Sequence, residues 1–472
     1  MTDPTELGVR AVLGALEAGT LTSLGLAEAL IARAEDWADL NAFVAREPGR
    51  VLEAAAAADA ARRAGEPLGA LHGLPLVIKD NIDLAGWPTT AGTPALRDYR
   101  PARTAPAAAR LLAAGAFVLG KNTMHELAHG ITSNNATHGP VRNPYDRRMI
   151  PGGSSGGTAA AIAARLSPAG LGTDTGGSVR IPAALCGIVG FRPTTGRYPS
   201  GGIVPISHTR DTPGILARAV ADLALLDAVL APSAVARAAR ALSGVRLGVP
   251  RALFYRELDP EVARLVAAAL QTLERAGVTL IEADVPGLEA TSAPVAGVIS
   301  DYEFPRDLAA FLAASGSGIT LERVIEELAS PDLRATFASE VRGPKAPSEA
   351  AYLDALHRGR PAMQAAFAQH FASHKLDALV FPTTSLPARP IEADRDDERA
   401  GSHARTFVTY LRNARPATVA ALPALSLALG RTAAGLPVGL ELDAPTGCDR
   451  QLLALGEAIE ALIEPLPAPT RA

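Results

Sequence analysis

The segment 172-GTDTGGSVRIPAALCG-187 sets two consecutive glycines, Gly176 and Gly177, directly before Ser178. Without Cβ atoms, such a pair can turn successive backbone N–H groups toward one point, a geometry that suits a developing oxyanion. Upstream, 151-PGGSSGGTAAA-161 places Gly152, Gly153, Gly156 and Gly157 around Ser154 and Ser155. Glycine is costly in ordered backbone unless the chain needs φ > 0 or very close approach. The pattern therefore predicts a tight turn that presents hydroxyl groups. A glycine-rich loop before a helix can also hold phosphate, but no Gly-Lys-Ser/Thr follows, so a P-loop is unsupported. No suitable acidic residue closes a compact βαβ unit after it, which weakens a dinucleotide reading. Either motif alone could be a linker. Both together, with apolar helix and strand signals between them, argue for a built site.

Lysine usage points to a third element. Lysine occurs only at Lys79, Lys121, Lys345 and Lys375, against 41 arginines. Where a positive charge suffices, this chain uses arginine. A retained lysine can mark a place where the group must lose its proton, which arginine cannot do. Lys345 and Lys375 stand in polar surroundings and are expected at the surface. Lys79 closes the apolar run 73-GLPLVIK-79, just before Asp80 and Asn81, as a strand end directed at something.

Around these motifs the chain alternates. Thr22 or Ser23 caps a helix in "LTSLGLAEALIARAEDW", and a second helix follows Pro48, so residues 1–70 read as helical. "PLVIKD", "FVLGK", "VRLGVP", "VTLIEADVP" and "KLDALVFPTT" read as strands, with "TAPAAARLLAAGA" and "DPEVARLVAAALQTLERAG" as helices between them. Such alternation predicts an α/β fold with a largely parallel or mixed central sheet. Residues 71–285 would form the core and residues 373–472 return to it. Residues 286–372, with amphipathic runs such as "TLERVIEELA", read as a helical insertion or lid. Residues 130–215 are rich in glycine and proline and read as a long functional loop region, apart from the helix "GTAAAIAARL".

The 472 residues are 48% hydrophobic with a net charge of −4. A large core is possible, and no basic excess is available to hold a nucleic acid. No run approaches the length of a membrane span. The start, "MTDPTELGVR", lacks the basic and apolar stretches of a secretion signal, so a cytoplasmic location is expected. Two cysteines, Cys186 and Cys448, are too few for a disulfide scaffold or a cysteine-rich metal site.

With Lys79 in "LVIKDN", "GGSSGG", "GTDTGGSVRIPA" and "GIVGFRPT", the sequence resembles the amidase signature family of Ser-Ser-Lys hydrolases. The spacing agrees too, with 75 residues from Lys79 to Ser154 and 24 from Ser154 to Ser178. The resemblance covers nearly the whole chain. It implies the amidase-signature fold, a central mixed sheet flanked by helices on both faces. It makes Ser178 the nucleophile, Ser154 the bridging hydroxyl behind a cis Gly153–Ser154 peptide, and Lys79 the base. Backbone N–H groups of Thr175, Gly176, Gly177 and Ser178 would form the oxyanion hole. Ser155, Asp174 and Arg180 would support the site, with Asp174 organising the loop. No cofactor is implied. The C-terminal part resembles the branch that hydrolyses arylacetamides such as indoleacetamide and mandelamide. Small-molecule amides are then the expected substrates, with carbamates, anilides or esters as alternatives on the same triad. A homodimer is a family-level expectation. A transamidating subunit acting with partners on charged tRNA shares the core motifs, but the acidic balance speaks against it.

One motif competes. "MHELAHG", Met124–Gly130, contains His125, Glu126 and His129 in the H-E-x-x-H spacing of zinc peptidases. On a helix the two histidines would share one face. A third ligand is wanting, because Thr132 and Asn135 occupy the positions where an extended motif needs glycine and histidine, and the next glutamate is Glu257. The expectation is therefore no metal. The family resemblance instead has Ala128, His129 and Gly130 line the acyl pocket, with His125 at the surface or behind the site.

Overall fold

The first helices start where local chemistry starts them. Thr22 accepts a hydrogen bond from Gly25 N–H and caps the helix Ser23–Asp36, and Pro48 opens the helix Pro48–Arg63. The computed structural model describes residues 3–233, 240–392 and 403–471. Between these helices and the core, β1 (Phe43–Ala45) breaks the expected all-helical N-terminal region and adds an edge strand to the sheet.

Among the described residues, eleven strands form one mixed sheet: β1, then β3 (Phe117–Asn122), β2 (Pro75–Lys79), β6 (Ala169–Asp174), β8 (Thr212–Ala217), β7 (Val189–Arg192), β12 (Ala424–Arg431), β13 (Pro437–Asp443), β11 (Ala378–Pro382), β9 (Arg246–Gly248) and β10 (Thr279–Ile281). A separate two-stranded ribbon pairs β4 (Asn134–Asn135) with β5 (Gly139–Pro140). β2 runs parallel to β3 and to β6, whereas β6, β8, β7, β12, β13 and β11 are mutually antiparallel in that order. β2, β3, β6, β7, β8, β11 and β13 are buried along their whole length, as expected of strands covered by helices on both faces.

The region 130–215 departs from the loop reading. Besides the expected helix, Gly156–Ala163, it supplies β6, β8 and β7, at the middle of the sheet, and the helix Arg180–Leu185. Its strands are short and carry Gly170, Gly172, Pro213 and Gly214, which mask their propensity. The glycines serve packing. A Cβ at Gly170 would lie 2.7 Å from Val77 Cγ2 and 2.8 Å from Thr158 Cγ2, so β2 and the helix Gly156–Ala163 can approach only because it is absent.

Residues 288–374 are mainly helical, from the long helix Leu288–Ser315 to Arg360–His374. Leu308, Phe304, Phe337 and Leu333 of this segment pack with Leu96 and Leu127 of the core in one apolar cluster. Among the described residues no helix is long and apolar enough to cross a membrane.

Candidate active site

Parallel strands direct their carboxyl ends to one side, where open α/β sheets place their sites. Lys79 is the last residue of β2, and Thr173 and Asp174 end its parallel neighbour β6. The turn 175–178 follows directly and leads into the helix Arg180–Leu185. Ser155 immediately precedes the helix Gly156–Ala163, with Ser154 just before it. A Cβ at Gly157 would lie 2.3 Å from Thr123 O and 2.7 Å from Ala42 O, so only glycine lets this helix start against the backbone. Two sequence motifs and one lysine thus meet at one sheet end.

The Lys79 amine is fully buried and lies 2.7 Å from both Ser154 Oγ and Thr173 Oγ1. Asn81 Nδ2 donates to the same Thr173 hydroxyl at 3.1 Å. Burial drives the Lys79 pKa down to about 7, against the opposing pull of Asp174 and Asp211. A large share of the amine is therefore neutral near physiological pH and able to accept a proton. The Gly153–Ser154 peptide is cis. Ser155 N–H donates to the Ser178 carbonyl at 3.2 Å, which sets the two motifs side by side.

Asp174 shapes the turn. Its carboxylate accepts from Gly177 N–H at 2.9 Å and Val179 N–H at 3.2 Å, and from Arg180 Nη2 and Nε at 3.1 Å each. Arg192 Nη1 adds a contact of 3.2 Å. Burial alone would raise this carboxyl, but Arg180 and Arg192 hold it well below the usual carboxylate range. Arg180 also pairs with Glu441 on β13, and all three side chains are fully buried. Burial pushes the Glu441 carboxyl up against the pull of Arg180. Burial and the neighbouring Glu441 push Asp443 well above its ordinary range.

This geometry corrects one expectation. Gly177 N–H is committed to Asp174 and is not available to an oxyanion. Among the described residues, the N–H groups of Thr175, Gly176 and Ser178 make no hydrogen bond within the protein. Gly177 has φ +130°, and a Cβ there would lie 2.6 Å from Ala414 Cβ, so the turn tolerates no side chain at this point.

Beside the turn lies a cavity of about 570 Å³ with Thr175, Gly176 and Ser178 in its wall, within the usual size range of small-molecule sites. The helix Leu288–Ser315 lines it with Ala293, Ala296, Gly297, Ser300 and Asp301, one helical face. Phe407, Leu411 and Arg415 come from the helix His403–Ala420. Ala128, His129 and Gly130 lie in the same wall.

The "HELAH" segment is not an α-helix. Leu127 and Ala128 have φ of +50° and +58°, which confines the helical part to a single 3₁₀ turn, Glu126–Ala128. The premise of two histidines on one helical face therefore fails. His129 stacks on Phe304, with ring centres 4.9 Å apart. His125 is fully buried, not at the surface, with Nε2 3.3 Å from Asp332 Oδ2. Glu126 accepts from Ala329 N–H at 3.1 Å and Ser330 N–H at 2.7 Å, at the start of the helix Pro331–Thr336. The segment thus fastens residues 329–332 to the core. Glu126→Ala leaves one buried and one part-buried N–H group without an acceptor. It is expected to lower stability by about 2–3 kcal/mol in urea denaturation.

Sequence reasoning missed Thr173, Arg192, Glu441, Arg210 and Asp211. Thr173 was in view, inside the glycine-serine motif, but a threonine there carries no distinctive signal. Glu441 and Asp443 alternate with Leu440 and Leu442 in a strand otherwise apolar, which is a readable sign of inward-facing acids. Arg210 joins the turn to the cavity helices, donating to Thr175 O at 2.8 Å, Ala296 O at 2.9 Å and Thr418 Oγ1 at 2.8 Å. Asp211 accepts from the Thr175 hydroxyl and from Ser207 N–H at 3.0 Å.

Three comparisons bear on this arrangement. The family model described as Amidase matches residues 25–453. The chain is 44% identical over 440 residues to an indoleacetamide hydrolase of Agrobacterium vitis, covering 93% of each protein. It is 40% identical to a mandelamide hydrolase of Pseudomonas putida, over 96% of this chain and 90% of that one. The solved native peptide amidase from Stenotrophomonas maltophilia superposes with a TM-score of 0.83 at 31% identity, over 98% of this chain and 99% of that one.

Proposed function

Since the chain belongs to the amidase signature family and is an amidase that hydrolyses amide C–N bonds, we propose that its cavity takes small aryl-containing amides and that Ser178, Ser154 and Lys79 cleave them. The observation that carries the reading is the buried Lys79 amine 2.7 Å from Ser154 Oγ, at a cavity wall that includes Ser178.

A serine hydroxyl is a weak nucleophile until a neighbour takes its proton. Neutral Lys79 accepts the Ser154 proton as Ser154 accepts that of Ser178. Ser178 Oγ then attacks the amide carbonyl. The negative charge on the carbonyl oxygen falls to the uncommitted N–H groups of Thr175, Gly176 and Ser178, while Asp174 fixes the turn through Gly177 and Val179. Collapse of the tetrahedral intermediate expels the amine, which takes a proton from Ser154, replenished by Lys79. Water cleaves the acyl-enzyme by the same relay in reverse. Thr173 and Asn81 hold the lysine amine in line. Ala128, His129 and Gly130 contact the acyl group. The helices of residues 288–340 cover it.

Product release from phenylacetamide, mandelamide, indoleacetamide, an anilide and an aryl carbamate, each with and without EDTA, tests this reading. Ammonia release from the arylacetamides, unchanged by EDTA, is expected. Cleavage of the carbamate or anilide alone would keep the relay and assign the enzyme a bulky leaving group. Loss of activity in EDTA would contradict the mechanism.

A further inference from the structure

Among the described residues the cavity wall carries three carboxylates, and their situations differ. Asp332 is engaged by His125. Glu340 is exposed. Asp301 is half-buried, and among the described residues it makes no hydrogen bond and no ion pair within 4.0 Å. Its position follows from the helix Leu288–Ser315, where it lies one turn beyond Gly297 on the face that lines the cavity; a Cβ at Gly297 would lie 3.9 Å from Asp301 Oδ2. The nearby guanidinium of Arg210 is already committed to Ala296, Ser300, Thr175 and Thr418. A half-buried carboxylate that no protein donor satisfies is open to a ligand that brings one.

We propose that Asp301 is a specificity-determining acceptor, which takes a hydrogen bond from an N–H or O–H group on the acyl part of the substrate. The proposal rests on the arylacetamide reading and narrows it to amides whose acyl group carries such a donor. Ile131, Ile206, Ala296, Phe407 and Leu411 in the same wall are apolar and support an aromatic body beside that donor.

The test uses matched pairs. Indole-3-acetamide and benzofuran-3-acetamide differ by an N–H replaced with oxygen, and mandelamide and phenylacetamide by one hydroxyl. The wild-type enzyme is expected to favour the donor-bearing member by about 10- to 100-fold in kcat/KM, the range of a hydrogen bond to a charged acceptor. In Asp301→Ala the donor-bearing substrate loses most, and the ratio falls to near one. Asp301→Asn keeps an acceptor oxygen and the volume, so it retains part of the preference and controls for misfolding.

The ratio has a second readout. Both substrates share Lys79, so its titration cancels. Burial and Glu340 raise the Asp301 carboxyl to about 7, against Arg210 and Arg415. The preference should therefore decline as pH falls through about 7. An unchanged ratio in Asp301→Ala, or no preference in the wild type, overturns the inference while leaving the amidase reading intact. Failure of the wild type to hydrolyse either member of both pairs overturns the arylacetamide reading and the inference with it.

Discussion

Ser178→Ala lowers kcat on any amide substrate by about 10⁴-fold or more, the scale seen when the nucleophile of a concerted relay is removed. The fold should not suffer. Ser178 lies at the cavity wall, and among the described residues its one hydrogen bond runs from Ser155 N–H to its carbonyl, which alanine keeps. Thermal unfolding of the variant within a few degrees of the wild type, together with lost turnover, separates chemistry from stability. An alanine variant with normal rates would remove the nucleophile from the mechanism.

Lys79→Met is the second large effect. It keeps an unbranched side chain in the buried slot and deletes the base, so kcat/KM is expected to fall by about 10²–10⁴-fold. Lys79→Arg keeps the charge but cannot release its proton under these conditions, and should be as inactive. The wild-type pH profile carries the same information. With the amine near 7, kcat/KM should rise about tenfold per pH unit below that value and level off above it. Stability gives an independent reading. The folded-state amine is lowered to about 7 from its ordinary 10.5, so between those values the folded protein binds fewer protons than the unfolded chain. Wild-type stability therefore gains with rising pH across that window, by about 3 kcal/mol from pH 7 to 9.5 relative to Lys79→Met. Urea denaturation of both proteins at the two pH values measures it. Parallel pH dependences would mean that the Lys79 amine is not held neutral.

Lysine scarcity was a physical signal, and the structure shows how far it reaches. Lys345 and Lys375 are exposed, whereas Lys79 and Lys121 are fully buried. The signal does not separate the two buried ones, because the difference lies in their partners. Lys121 donates to Ile82 O and Pro88 O at 2.8 Å and to Thr89 Oγ1 at 3.1 Å, with Asp80 at 3.4 Å. That set of acceptors fastens the segment after β2. Lys79 meets two hydroxyls, which can exchange protons with it. Only the fold reveals this contrast.

The strand and helix alternation was legible wherever periodicity was clean, as in "PLVIKD", "FVLGK" and the helix Pro260–Arg275, which Asp259 caps. It failed in the middle of the sheet, where close packing demands glycine and the strands lose their β-branched signature. "HELAH" failed in the opposite way. The letters fit a helix, but Leu127 and Ala128 adopt left-handed backbone, because His125 and Glu126 are drawn to Asp332 and to the 329–330 amides while His129 turns to Phe304. Asp301 and Arg210 were illegible, since nothing local marks a helical aspartate or a loop arginine as part of a cavity wall.

The most direct measurement is peptide mapping by mass spectrometry of enzyme quenched in acid during turnover of 4-nitrophenyl phenylacetate. The relay predicts one added phenylacetyl group, on the peptide that contains Ser178, and none on the Ser178→Ala protein. A phenylacetyl group found on Ser154 or Lys79, or continued turnover with no acyl-enzyme at any quench time, would contradict it.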